Sequence, residues 1–133
     1  MQENNNNYNT KIVHKSDLPE RTFEFAKRIL KLCASLNQSN SVQRIISYQL
    51  LRAGTSIGAN TEEGQAAQSE ADFLTKYSIA CKEARETMYW LKLLRETDAK
   101  YISTLGGLIS ECSELIAIFT SIVKKLKDKR DEK

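Results

Sequence analysis

"RAGTSIGANTEEG", residues 52–64, sets two readings of the chain against each other. Read as a loop, the stretch would belong to a phosphate-binding site. Such a loop needs G-x-x-x-x-G-K-[ST], or G-x-G-x-x-G after a strand. Here Gly58 and Gly64 flank "ANTEE", no Lys follows, and no strand-like run precedes. Read as helix, the stretch places Gly54 and Gly58 one turn apart beside Ala53, Ser56 and Ala59. Two glycines inside a helix cost about 1 kcal/mol each relative to Ala. Close approach of a neighbouring helix is the simplest compensation, so the stretch predicts helix packed tightly on helix.

The flanking residues extend this reading. Val42, Ile46, Gln49, Ala53, Ile57, Asn60 and Gly64 recur at spacings of three and four, which predicts a helix over 42–64. After a short connection near "QAAQ", Ser69 and Asp72 provide a capped start for the next helix. Its apolar positions are Phe73, Tyr77, Ala80, Ala84, Thr87, Leu91 and Leu94, spaced as the a/d seam of coiled-coil-like packing. At about 1.5 Å per residue, Ser69 to Thr97 is a rod on the order of 40 Å. Upstream, Ser16 or Asp17 can cap a helix entered through Pro19 and Glu20. Its expected inner face is Phe23, Ala26, Leu30 and Cys33, widened by Ile29 and Leu36, and "NQSNS" at 37–41 closes it. Downstream, "TDAKYIST" breaks the pattern, and Leu105, Ile109, Cys112, Ile116, Phe119, Val123 and Leu126 form a fourth seam. No run shows strand alternation flanked by turn signals, and no repeat of fixed period is evident. Four helices with short connections favour antiparallel neighbours. The expected fold is all-α, an antiparallel up-down-up-down four-helix bundle over residues 16–127, with an Asn-rich disordered leader at 1–15 and a charged tail at 128–133.

Composition agrees: 133 residues suit one domain, and a single Pro with five Gly suits a helical one. The net charge is +3, but residues 124–133 hold six positive and three negative side chains, leaving 14 of each sign elsewhere. The bundle is therefore neutral, whereas strong nucleic-acid binders usually carry a basic face on the folded domain. Cys33, Cys81 and Cys112 are odd in number and widely spaced, which suggests neither a disulfide framework nor a zinc site. They read as small buried hydrophobes in a reducing cytoplasm. The sequence predicts no segment that reaches the roughly 18 to 20 apolar residues of a membrane span, and the leader "MQENNNNYNTK" has no apolar core. The expectation is a cytoplasmic chain that does not engage a membrane.

Arg52, Ser56, Asn60 and Glu63 form a polar stripe beside the apolar seam of the second helix. If helices two and three meet antiparallel around residues 65–68, Arg52 lies opposite Lys82 to Glu86. An ion pair from Arg52 to Glu83 or Glu86 follows, and bidentate Arg–carboxylate contacts are the strong kind. These six residues are read as a structural polar network.

The same residues carry a family resemblance. "LLRAGTSIGANTEEGQAAQSEADFLTKYSIACKEARETMYWLKLL", residues 50–94, resembles the signature of the bacterial four-helix bundle family labelled 23S ribosomal RNA intervening-sequence proteins. The agreement falls at Arg52, Ala53, Ser56, Ile57, Ala59, Asn60, Glu63, Gly64, Ser69, Phe73, Ile79, Ala80 and Glu86, while Glu83 stands where many relatives carry a small Ser. The resemblance implies an up-down bundle that assembles into a ring, often a pentamer, and it does not imply an enzyme. Members are similar to the basic accessory proteins of diversity-generating retroelements, which is the source of a nucleic-acid suggestion.

Catalytic chemistry finds little footing in the sequence. Bundle enzymes place carboxylates and His in the core, yet the single His, His14, lies in the leader. Ser56 and Cys81 have no His within helical reach to act as base. Neither cofactor nor metal is expected. The candidate oligomer interface is the outer flank of helix three, through Ile79 and Trp90. The candidate nucleic-acid contacts are Lys124, Lys125, Lys127, Lys129 and Arg130.

Overall fold

The computed structural model describes residues 17–132. The expectations for the leader at 1–15 and for a Ser16 cap lie outside the described residues. Four long helices, α1 (Leu18–Ser35), α2 (Ser41–Gln65), α3 (Glu70–Arg95) and α5 (Gly106–Asp131), are joined by short connections, with a single-turn α4 (Tyr101–Thr104) before the last. Strands are absent among the described residues.

Local signals set most of the helix starts. Asn40 accepts from the backbone N–H groups of Val42 and Gln43 at 3.0 and 3.1 Å, satisfying two donors that have no intrahelical partner. Ser69 accepts from the Asp72 N–H at 3.0 Å, as expected. At α1 the expectation is corrected: Asp17 occupies the cap position, but its side chain makes no capping bond, and Pro19 in the first turn carries the start.

Continuous helix runs through residues 52–64, and α1 approaches it closely. A Cβ built on Gly54 would lie 2.9 Å from Ile29 Cγ2, and one on Gly58 would lie 3.3 Å from the Thr22 backbone oxygen. The glycines are where α1 beds into α2. Along this seam numbers fall in α1 as they rise in α2: Cys33 donates to the Ser47 carbonyl, Ile29 meets Gly54, and Thr22 meets Gly58. Contacts between α3 and α5 run the same way, with Ala84 beside Cys112 and Glu70 beside Lys129. This pattern is compatible with an antiparallel up-down order.

The α3 seam is buried as expected from Tyr77 to Leu94, with Phe73 half-buried. The inner faces of α1, α2 and α5 are partly shifted from the expected ones: Ile29, Cys33 and Leu36, Ile46, Ala53, Ile57 and Gly64, and Leu105, Cys112 and Phe119 are buried as expected, but other positions are not. In α1 the core stripe is Leu18, Thr22, Phe25, Ile29, Leu32 and Leu36, while Phe23 is 63% and Leu30 54% exposed. The interior tolerates Thr22 because its hydroxyl donates to the Leu18 carbonyl at 2.8 Å. In α2, Val42 is exposed and Gln49 and Asn60 are half-buried, whereas Ser47, Leu50, Gly54, Gly58 and Thr61 turn inward toward α1. In α5 the buried set is Leu105, Leu108, Cys112, Leu115, Phe119 and Ile122, with Ile109, Ile116, Val123 and Leu126 only flanking it.

Two further expectations are adjusted. The last helix continues through Asp131, so most of the charged segment is helical. The stretch Tyr101–Asp131 also reaches a mean hydropathy of 1.4 over 18 residues, enough by length and composition to cross a membrane, contrary to the sequence expectation. Its Leu105, Leu108, Leu115, Phe119 and Ile122 line the core while Ile102 is exposed, and its Glu111 and Glu114 pair with Arg21 of α1 at 2.7 and 3.4 Å.

Cys33 and Cys112 are buried and Cys81 is half-exposed, all as free thiols. Burial pushes the Cys33 thiol up and that of Cys112 up to about 12. Alkylation of the native protein at neutral pH should therefore modify Cys81 and spare the other two, read by peptide mass. Linkage adds a pH dependence. Because the folded-state value of Cys112 lies above its ordinary value of 9.0, its contribution to stability is intact below about pH 9 and lost as pH climbs toward about 12. Denaturant midpoints between pH 8 and 11 should fall accordingly, and less steeply in Cys112→Ala.

Candidate interaction surface

Arg52 sits where the hairpin geometry puts it, facing α3. Its guanidinium pairs with Glu86, stands 3.5 Å from Glu83 Oε2 and donates to Gln49 Oε1 at 3.3 Å. Glu86 also accepts from the Trp90 indole N–H at 3.0 Å. One carboxylate thus ties α2 to α3 and fixes the Trp90 ring. Arg52 is 42% and Glu86 35% exposed at their side chains, so this pair is partly screened by water. A double-mutant cycle on Arg52 and Glu86 should give a coupling of about 0.5 to 1 kcal/mol, below the few kcal/mol of a fully buried pair.

The other members of the stripe do not join this cluster. Asn60 donates to Ser56 Oγ and to its carbonyl at 3.1 and 2.9 Å, within α2. Glu63 pairs separately with Lys76 at 2.9 Å, which raises the Lys76 pKa. The six residues form three local clusters along one seam. Among the described residues, no group of three or more His, Cys, Asp or Glu is placed to hold a metal.

Ile79 and Trp90 are half-buried. The larger apolar exposure lies beside them and across α2. On α1 and α2, Leu30, Leu51 and Tyr48, the last 66% exposed, face solvent around a groove of about 470 Å³ lined also by Cys33, Ala34, Gln38, Arg44 and Ser47. A second groove, about 320 Å³, lies between Phe23, Ala26, Gly58 and Ala59. On the other flank of α2, Ile45 joins Leu93 and Tyr89 of α3, with Tyr89 59% exposed and edge-on to Trp90 at a ring-centroid separation of 5.1 Å. Large apolar side chains left exposed side by side mark an interaction surface. The sequence carries the signal as a surplus: within the expected face of Phe23, Ala26, Leu30 and Cys33 widened by Ile29 and Leu36, Cys33, Ile29 and Leu36 reach the core, while Phe23, Ala26 and Leu30 form a second apolar stripe outside it.

The basic residues lie at the end of the bundle where α3 begins. Lys129 and Arg130 approach Glu70 at 2.9 and 3.9 Å, and Lys124 pairs with Asp128 at 3.1 Å. Lys124 and Lys127 share a shallow groove with Arg85, and Lys125 is exposed.

These features define an all-helical bundle whose distinguishing surface is an apolar one spread over α1, α2 and α3. The chain belongs to the 23S rRNA-intervening sequence protein family, whose model matches residues 14–121. It is similar to a crystal structure of a protein of unknown function from the S23 ribosomal protein family of Bacteroides thetaiotaomicron. The two are 40% identical over 80% of this chain and 98% of that one, with a TM-score of 0.74. Comparison with curated proteins gives no match.

Proposed function

We propose that this protein is a non-catalytic, self-associating interaction or scaffold protein of the cytoplasm, built on an up-down-up-down bundle and working without a cofactor. The observation that carries the reading is the apolar surface flanking α2. Burying it against another chain supplies the hydrophobic driving force for assembly, while the core beneath it is already complete. Light scattering on nuclease-treated protein in 0.5 M salt tests this. A mass several times the 15.1 kDa of the chain supports it, and a single-chain mass overturns it.

A second reading, binding of RNA or DNA by a ring through its basic rim, draws on Lys124 and Lys127, which share a groove with Arg85 and with Asp128 and Asp131, and on exposed Lys125 of the same ordered helix. Lys129 and Arg130 are offset by Glu70, and the bundle is otherwise neutral. Under this reading, retention of RNA falls with salt and is lost when Lys124, Lys125 and Lys127 become Glu. Under the first, those substitutions change nothing that salt does not.

A further inference from the structure

The smaller groove between α1 and α2 opens at the end of the bundle where the chain enters α1. Pro19, Phe23 and Ala26 wall one side and Thr55, Gly58 and Ala59 the other, with Glu62 at the Pro19 end. Little in it seeks a polar partner, since the Thr55 hydroxyl is already donated to the Leu51 carbonyl at 2.6 Å. Small residues at Ala26, Gly58 and Ala59 leave about 320 Å³ open beside the exposed Phe23 ring. We infer that Ile12 and Val13 of the chain's own N-terminal segment seat in this groove, so that residues 11–16 fold back as a strap across the seam of α1 and α2. The contact lies within one chain and stands whether or not chains associate.

Composition, reach and charge favour this occupant. The Asn-rich run ends at Asn9, and "KIVHK" at 11–15 holds the one pair of adjacent aliphatic residues ahead of α1. Both are β-branched, with few rotamers to lose on burial. Phe23 lies six residues past Asp17 along α1, about 9 Å at helical rise. Val13 lies four residues before Asp17, and four extended residues span up to about 14 Å. His14 to Ser16 therefore suffice to reverse the chain and bring the pair level with Phe23. Lys11 and Lys15 bracket the pair, and Glu62 at the groove is exposed with no ion pair among the described residues, its neighbour Glu63 being held by Lys76. The tether adds a local concentration on the order of millimolar, so a contact too small to hold a free partner is held within the chain.

The strap has consequences at both ends of the seam. Helix α1 packs mainly on α2 and only lightly on α5, so a brace across α1 and α2 holds the helix with the fewest neighbours. It also covers Phe23 and Ala26 while leaving Tyr48 and Leu51, and Tyr89 and Leu93 on the other flank, open to other copies. Release of the strap uncovers the Phe23 end of the apolar face, which makes the N-terminal segment an internal regulator of how much of that face is offered.

Disulfide trapping in the full chain tests the contact. In a Cys81→Ser background, where the remaining Cys33 and Cys112 are buried, Val13→Cys is paired either with Ala59→Cys in the groove or with Glu24→Cys. Glu24 is exposed on the other flank of α1, against the α5 side. Cys is itself a small apolar side chain, so the substitution keeps the strap. Under mild oxidation the Ala59 pair is expected to close within one chain at least about tenfold faster than the Glu24 pair, read by mass under denaturing, non-reducing conditions. Equal rates, faster closure with Glu24, or a bond formed mainly between chains overturns the strap. Phe23→Asp supplies a second readout, because it charges the groove at a position 63% exposed. With helicity unchanged by circular dichroism, tryptic cleavage after Lys11 and Lys15 is expected to quicken by at least about tenfold as the docked form is lost. Unchanged cleavage overturns the proposal, and if that variant loses helicity the disulfide pairs decide alone.

Discussion

Gly54→Leu is expected to lower the melting temperature by roughly 5 to 15 °C, corresponding to about 1 to 3 kcal/mol of overpacking. The cause is local. A Cβ at this position would stand 2.9 Å from Ile29 Cγ2, and Ile29 is fully buried between α1 and α2. The branched Ile29 side chain has few rotamers through which to retreat, so α1 must move as a whole. The same substitution at Gly106, which has open space around it, should leave packing intact and serves as the control. Thermal circular dichroism reads the difference, and equal melting temperatures for the two variants would count against the close seam.

Phe119→Ala should be costlier, at about 3 to 5 kcal/mol, because it removes a large side chain and leaves a cavity. Phe119 is fully buried and meets Tyr77 edge-to-face at a centroid separation of 5.5 Å, and Tyr77 in turn stacks on Phe73 at 4.1 Å. Tyr77 also closes over Gly64, where a Cβ would come within 2.6 Å of its ring. The cavity therefore opens where α2, α3 and α5 converge. Urea denaturation at neutral pH checks the magnitude, and a loss below about 1 kcal/mol would show that the aromatic cluster does not lock these helices.

The sequence made α3 legible because that helix carries a single well-defined stripe from Tyr77 to Leu94. It left α1 and α5 ambiguous because each carries more apolar residues than one face requires. Periodicity identifies a helical stripe but does not say whether the stripe faces the chain's own core or a neighbour. Phe23 and Leu30 repeat at helical spacing as well as Phe25 and Ile29 do, and only the packed structure separates them. Pairing follows the same logic. Arg52 opposite Glu86 could be read because a connection of four residues fixes the register of α2 against α3. Arg21 with Glu111 could not, since no short loop ties the first helix to the last. Helical spacing and the hairpin register make the polar stripe read as one network, and it divides because Asn60 bonds back to its own helix.

The central claim is that the surface flanking α2 is covered by other copies of the chain. Nitration of the tyrosines with tetranitromethane across a dilution series, mapped by peptide mass, tests it most directly. Tyr77 and Tyr101 are buried within the protomer and should stay protected throughout. Tyr48 and Tyr89 are more than half exposed on a single chain, so the account predicts that both are protected at high concentration and become reactive together on dilution. Full reactivity of Tyr48 and Tyr89 at every concentration would contradict it.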